Sequence, residues 1–173
     1  MSEPRIEFRP LRKEDLPLLL EWLNRPHVAE WWHDEGSLVE LEAEYFPPVE
    51  SPGDARPYIA YAGERPVGYI QSYVAADFGT GWWPGQHDHG VLGIDQFLTD
   101  PNDLGRGLGT ALVERFTAFL FEDPAVIRIV VDPLPTNRRA IRCYEKAGFR
   151  PIDTITTPDG PALLMTLERT VLG

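Results

Sequence analysis

"LGRGLGTALV", residues Leu104 to Val113, sets glycines at 105, 107 and 109 and then runs into an apolar periodicity. Glycine loses more conformational entropy on folding than any other residue, so this spacing needs a physical cause. Downstream, Leu108, Leu112, Phe116 and Leu120 recur every four residues, the stripe of an amphipathic helix. Upstream, "VLGIDQFL", Val91 to Leu98, reads as a strand. The glycines therefore sit at a strand-to-helix junction, where unpaired N–H groups and the positive end of the helix dipole suit a phosphate. Their pattern is G-x-G-x-G, not the dinucleotide G-x-G-x-x-G, and no lysine follows Gly109 as a P-loop requires. On this loop alone, an ordinary glycine-rich turn reads equally well.

Outward from the loop, the chain reads as one mixed α/β domain over residues 1–173, without repeats, linkers or low-complexity tracts. "IEFRPL" predicts a first strand, and Leu16, Leu19, Leu20 and Leu23 predict a helix from Lys13 to Leu23. Ser37 followed by Glu40 predicts a capping box for a helix through Tyr45. "PYIAYAGERPVGYIQSYVA" predicts a hairpin turning at Ala62-Gly63-Glu64-Arg65. The stretch Ala76 to Gly90 has no periodicity and is long for a hairpin loop, a length more often functional than idle. "VIRIVVD" predicts a buried strand and "NRRAIRCYEKAG" a helix ending at Gly148. Two last β runs flank the turn "TPDGP".

Composition narrows the class of partner. A chain of 173 residues with 43% hydrophobic and 25% charged residues is ordinary for a soluble globular protein. No run approaches the roughly 18 consecutive apolar residues of a membrane span, and the charged start "MSEPRIEF" has no apolar core of a signal peptide. A lone cysteine, Cys143, forms no internal disulfide and fits a reducing cytoplasm. The net charge of −11 argues against nucleic acid and anionic membrane surfaces. Such a charge favours a cationic ligand or simply keeps the chain soluble.

"NRRAIRCYEKAGF", Asn137 to Phe149, breaks the tie over the glycine loop. Together with Leu104-Gly105-Arg106-Gly107-Leu108-Gly109, it resembles the two coenzyme A motifs of the GNAT acetyltransferases, in the right order along the chain. The first motif usually begins with Gln or Arg, where this chain has Leu104. The resemblance implies the GNAT fold, a mixed but mostly antiparallel central sheet flanked by helices, with acetyl-CoA as co-substrate. Implied coenzyme A contacts are Phe97, Leu98, Gly105, Arg106, Gly107, Leu108, Gly109, Thr110, Asn137, Ala140 and Tyr144. Further segments, among them "EWLNRPHVAEWW", "GYIQSYVA", "GTGWW", "GIDQFL" and "TTPDGPA", are similar to those of the aminoglycoside 6′-N-acetyltransferases, from about residue 6 to 168. That likeness implies acetyl transfer to the 6′-amine of a cationic aminoglycoside.

An ammonium must lose a proton before it can attack a thioester, and the departing thiolate needs a donor. Asp95 stands mid-strand, where Asp is depleted, and the likeness makes it the group that holds the ammonium and serves the base. Tyr144 would hydrogen-bond the leaving sulfur, and backbone N–H groups between Gln96 and Leu98 would face the developing oxyanion. Asp132 and Asp159 are implied ammonium ligands. Asp132 also reads as a turn residue before Pro133, and Asp159 in "PDGP" is a better one still. Trp32, Tyr45, Gln71, Trp82 and Trp83 complete the implied acceptor site, with one member of each tryptophan pair expected to face it. Related enzymes carry Asp where Thr80 precedes "GWW", which bears on antibiotic range. His87-Asp88-His89 lacks further ligands at metal spacing, so no metal is expected. Cys143, without an evident His partner, reads as a packed thiol rather than a nucleophile. Two rival readings are acetylation of another amine, such as a hydroxylysine-type siderophore precursor, and a catalytically silent domain that binds acetyl-CoA or sequesters antibiotic.

Overall fold

The computed structural model describes residues 5–32 and 36–170. Strand β1 (Ile6–Pro10) leads into helices α1 (Leu16–Leu23), α2 (Pro26–Ala29) and α3 (Leu38–Tyr45). The hairpin β2 (Arg56–Ala62) and β3 (Arg65–Val74) follows, then β4 (Val91–Leu98) and the long helix α4 (Leu108–Leu120). Strand β5 (Arg128–Val131), helix α5 (Arg138–Lys146) and the hairpin β6 (Arg150–Thr157) and β7 (Gly160–Glu168) complete the chain.

Most of the predicted elements form where the pattern placed them. Ser37 caps α3 as a full box, its hydroxyl accepting from Glu40 N and its own N–H donating to the Glu40 carboxylate. The first helix departs from expectation: Lys13–Asp15 is a 3-10 turn and the α-helix starts only at Leu16. Pro17 is the cause, because its ring clashes with an α-helical carbonyl four residues earlier and it has no N–H to bond there. The four-residue α2, begun by Pro26, has too few residues to show a period and went unread.

Among the described residues seven strands form one sheet in the order β1-β2-β3-β4-β5-β7-β6. Every neighbouring pair is antiparallel except β4 with β5, which run parallel and need the α4 crossover between them. Alternation sends Ile70 and Ala60 to one face, beneath α4 and α5, with Leu112, Phe116 and Tyr144. The next residues along, Tyr69 and Ile59, face the other side with Leu19, Trp22 and Leu41 of α1 and α3. Both faces are therefore covered.

One feature of the sheet makes room for a site. Strand β4 pairs with β5 only at Val91, Leu92 and Gly93, yet it continues to Leu98 against β3 on its other edge. Beyond Gly93 the two parallel strands part and the sheet splits.

Candidate active site

Alternation decides what β4 offers to the split. Thr99 N donates to Val67 O, so in this unbroken antiparallel ladder the odd residues Phe97 and Asp95 also turn their amides toward β3. The intervening residues, Gln96 and Leu98, then direct their N–H and C=O groups into the gap. His27 takes up one of those groups, its Nε2 lying 2.8 Å from Leu98 O. Arg25 Nη1 donates to Thr99 O at 2.5 Å, and these two contacts pin α2 to the end of β4.

Two cavities meet at the split, of about 470 and 520 Å³, each large enough for much of a small-molecule ligand. Trp31, Trp32, Gln96, Asn137 and Ala140 line both and so mark where they join. The first is a groove between β4, the α4 N-terminus and α5. Gly105, Gly107, Gly109 and Thr110 line it, with Phe97 and Leu98. Gly105 and Gly107 have φ of 74° and 83°, the left-handed region that a side chain resists. Among the described residues nothing lies within 4 Å of the space a Cβ would take at either position. Their backbone is thus bare at the start of α4, where the first amides of a helix are unsatisfied. Gly109 differs, since it lies inside α4 and its missing Cβ would come 3.5 Å from Cys143 Sγ on α5.

Of the remaining groove expectations, Arg106 is exposed and does not line the cavity, while Leu108 packs against the core. Leu104 lines the groove and also packs on that core. Asn137 caps α5, its Oδ1 accepting from Ala140 N at 3.2 Å. Cys143 lines the groove half-buried, with Thr110 Oγ1 at 3.8 Å, and burial pushes its thiol pKa up. A basic stripe on α5 was missed: Arg138, Arg139, Arg142 and Lys146 all line the groove. Their signal was present, for 138, 142 and 146 fall on one helical face.

The second cavity is a cleft on the far side of the split. Asp95, Asp132 and Asp159 line it together with Glu44, which no sequence pattern marked. Aromatic walls come from Trp31, Trp32, Tyr73, Phe78 and Trp82, and no Lys, Arg or His lines it among the described residues. The Asp132 carboxyl is pushed up to about 8, first by burial and then by the charge of Asp95. Tyr144 reaches the cleft from α5, 6% exposed, against the Gln96 side chain. Burial, then the charges of Asp95 and its neighbours, raise its phenol pKa well above the usual value, so it stays a proton donor. Asp95 and Tyr144 come from opposite faces of the sheet. They share one cleft because the sheet is open between β4 and β5.

The tryptophan pairs divide differently. Trp82 lines the cleft, while Trp83 packs against Ala75, Val91 and Val130. Trp31 and Trp32 both line it, because they close a helical turn, with both amides bonded to Val28 O, and the opposite-sides rule applies only to extended chain. Gln71 lines the cleft and its Nε2 donates to Asp95 Oδ2 at 3.0 Å. Tyr45 does not line it; it lies 8% exposed in the cluster beneath α1 and α3, its ring 6.1 Å from that of Tyr69. Thr80 is exposed and lies outside the lining. Gly93, unremarked in the sequence, is required because the Tyr73 ring lies 2.3 Å from where a Cβ would be.

Among the described residues no three His, Cys, Asp or Glu side chains gather as a metal site, and His89 of the H-D-H run pairs with Asp77 at 3.2 Å. No helix among them is long and apolar enough to cross a membrane.

Residues 12–157 match the model of the acetyltransferase (GNAT) domain family. Aminoglycoside N(6′)-acetyltransferase type 1 of Klebsiella pneumoniae is 48% identical over 171 residues, covering 97% of this chain and 85% of that protein. A kanamycin resistance protein of Rhizobium radiobacter is 56% identical over 88 residues, covering 51% of this chain and 82% of its own. The fold is similar to a crystal structure of an aminoglycoside acetyltransferase in complex with coenzyme A and kanamycin. That match has a TM-score of 0.90 and 48% identity, and it covers 95% of each chain.

Proposed function

This chain belongs to the GNAT acetyltransferase family, and on that premise we propose that it transfers the acetyl group of acetyl-CoA to the 6′-amine of aminoglycoside antibiotics. The observation that carries the reading is the change of charge across the split. A groove lined by Arg138, Arg139, Arg142 and Lys146 opens into a cleft lined by Asp95, Asp132, Asp159 and Glu44. Polyanionic coenzyme A suits the first and a polycationic sugar the second. The 48% identity to aminoglycoside acetyltransferases over nearly the whole chain supports the same acceptor.

The groove fits the co-substrate. Bare backbone at Gly105 and Gly107 opens the α4 N-terminus to a pyrophosphate. Gln96 Oε1, buried where groove and cleft meet without a partner among the described residues, and the gap-facing amides of Gln96 and Leu98 leave polar groups for a ligand to satisfy. When bound, acetyl-CoA supplies an activated acyl group as a thioester. Asp95 holds the acceptor ammonium and takes its proton, directly or through water. The Gln96 and Leu98 amides stabilise negative charge on the acyl oxygen. Tyr144, a protonated phenol, donates to the departing sulfur. Asp132, Asp159 and Glu44 hold the other ammonium groups, while Trp82 and the Trp31–Trp32 pair cover the sugar rings. Residues 1–173 act as a single catalytic domain, in the cytoplasm, where the lone Cys143 stays reduced.

Coenzyme A release measured with kanamycin, tobramycin, gentamicin and a lysine-derived amine tests the proposal. Release with the aminoglycosides, and a product acetylated at the 6′-nitrogen, is expected. Release with the lysine amine alone would overturn the acceptor class, and release with none would overturn the activity.

A further inference from the structure

Asp95 and Asp132 share one cleft, both half-buried, and two carboxylates so placed do not both ionise readily. Which of them keeps the charge determines which can serve as base. The ladder sets Gln71 opposite Asp95 and Tyr69 opposite Phe97, all on one face of the sheet. Gln71 Nε2 donates to Asp95 Oδ2 at 3.0 Å, and Gln71 Oε1 accepts from the Tyr69 hydroxyl at 2.6 Å. The two bonds therefore run in one direction, from Tyr69 through Gln71 to Asp95.

We infer that Tyr69 is a positioning residue for the acetyl transfer, locking the Gln71 amide so that its N–H faces Asp95 and keeps Asp95 the ionised carboxylate of the pair. This rests on Asp95 serving as the base proposed above. Tyr69 is fully buried, stacked on Phe97 with ring centres 5.2 Å apart and edge-on to Trp32. It does not line the cleft and so touches no substrate. An amide free to flip would turn its oxygen toward the carboxylate and favour the protonated acid. Among the described residues, the other titratable groups that line the cleft with Asp95 do not settle the matter. Asp132 from the end of β5, Asp159 from the β6–β7 turn and Glu44 from α3 are acidic, and Tyr73 of β3 and Tyr144 of α5 are phenols held neutral by burial. Gln71 on β3 supplies the directed donor.

The test is the pH profile of kcat/KM for kanamycin with saturating acetyl-CoA, from pH 5.5 to 8.5, for the wild type, Tyr69→Phe, Gln71→Met and the double variant. Titration of the drug's own amines is common to all four and drops out of the comparison. Tyr69→Phe should move the acidic limb up by roughly 0.5–1 pH unit, the scale of one hydrogen bond to a charged group felt at second hand. Activity should thus fall about 3- to 10-fold on the acidic side of the limb and recover above it, with KM for acetyl-CoA unchanged. Gln71→Met should move the limb the same way, and adding Tyr69→Phe to it should move it no further. A loss equal at every pH, or additive shifts in the double variant, would overturn the inference. Should Tyr69→Phe fail to fold, Gln71→Met decides alone, and an unmoved limb overturns it. Asp95→Asn separates the two levels. Full turnover in that variant refutes Asp95 as base, whereas lost turnover there with an unmoved Tyr69→Phe limb refutes only the role of Tyr69.

Discussion

The groove and the cleft share Gln96, Asn137 and Ala140 as a common wall, yet they are built on opposite chemistry. On the groove side, α5 sets four basic side chains beside the bare backbone of the glycine loop. On the cleft side, carboxylates from β4, the end of β5, the β6–β7 turn and α3 converge among aromatic rings. One region therefore draws its charge from a single helical face, and the other gathers it from four separate segments. The net charge of −11 averages the two and hides the first. Binding arguments drawn from total charge describe the whole surface, whereas a ligand senses the charge near its own cavity, within a screening length of about 10 Å.

If each region has one duty, substitutions should separate by ligand. The largest effect should come from Asp95→Asn, which keeps shape and removes charge and basicity. Turnover with kanamycin should fall by roughly 10²- to 10⁴-fold, the usual weight of a positioned acid–base group. Acetyl-CoA affinity should stay as it is, and an unchanged melting temperature would separate this from a structural loss. Tyr144→Phe comes next, with kcat falling about 10- to 100-fold and KM for either substrate little changed, because the phenol acts on the departing sulfur. Unaltered kcat where chemistry limits the rate would return Tyr144 to the core.

Arg142→Ala should be milder, weakening acetyl-CoA about fivefold, or roughly 1 kcal/mol, since the side chain is exposed and screened. It is a cleaner probe of the groove than a change at Gly105 or Gly107, where the left-handed backbone would strain any replacement. The smallest effect concerns stability. An Asp132 carboxyl raised to about 8 holds a proton in the folded chain that the unfolded chain has lost above about pH 4. Stability of the ligand-free protein should therefore fall as pH rises through that window, and Asp132→Asn should relieve the fall. Its melting temperature should match the wild type near pH 4 and exceed it by roughly 2–8 °C at pH 8.5, for about 1–2 kcal/mol after solvent screening. No pH dependence in the difference would mean Asp132 is not strained by charge.

The two regions were also unequally legible in the sequence. The groove is local: the glycine loop and the α5 motif are short segments whose spacing reveals their geometry, and α4 and β4 form where periodicity put them. Even so, neither Arg106 nor Leu108 inside the motif lines the cavity, because a spacing pattern fixes backbone and not side-chain direction. The cleft is non-local. Its existence depends on β4 leaving β5 after Gly93, and strand pairing that stops partway leaves no periodic trace. Glu44 was invisible for that reason. Tyr45 was assigned to the cleft through family likeness, and it is instead buried beneath α1 and α3 with its ring against that of Tyr69.

Calorimetric titration of acetyl-CoA and of kanamycin into Asp95→Asn and into Arg142→Ala tests the division of labour most directly. The expected pattern is crossed: Asp95→Asn weakens kanamycin and spares acetyl-CoA, and Arg142→Ala weakens acetyl-CoA and spares kanamycin. If either substitution weakened both ligands alike in a protein of normal melting temperature, groove and cleft would not be separate sites of opposite charge.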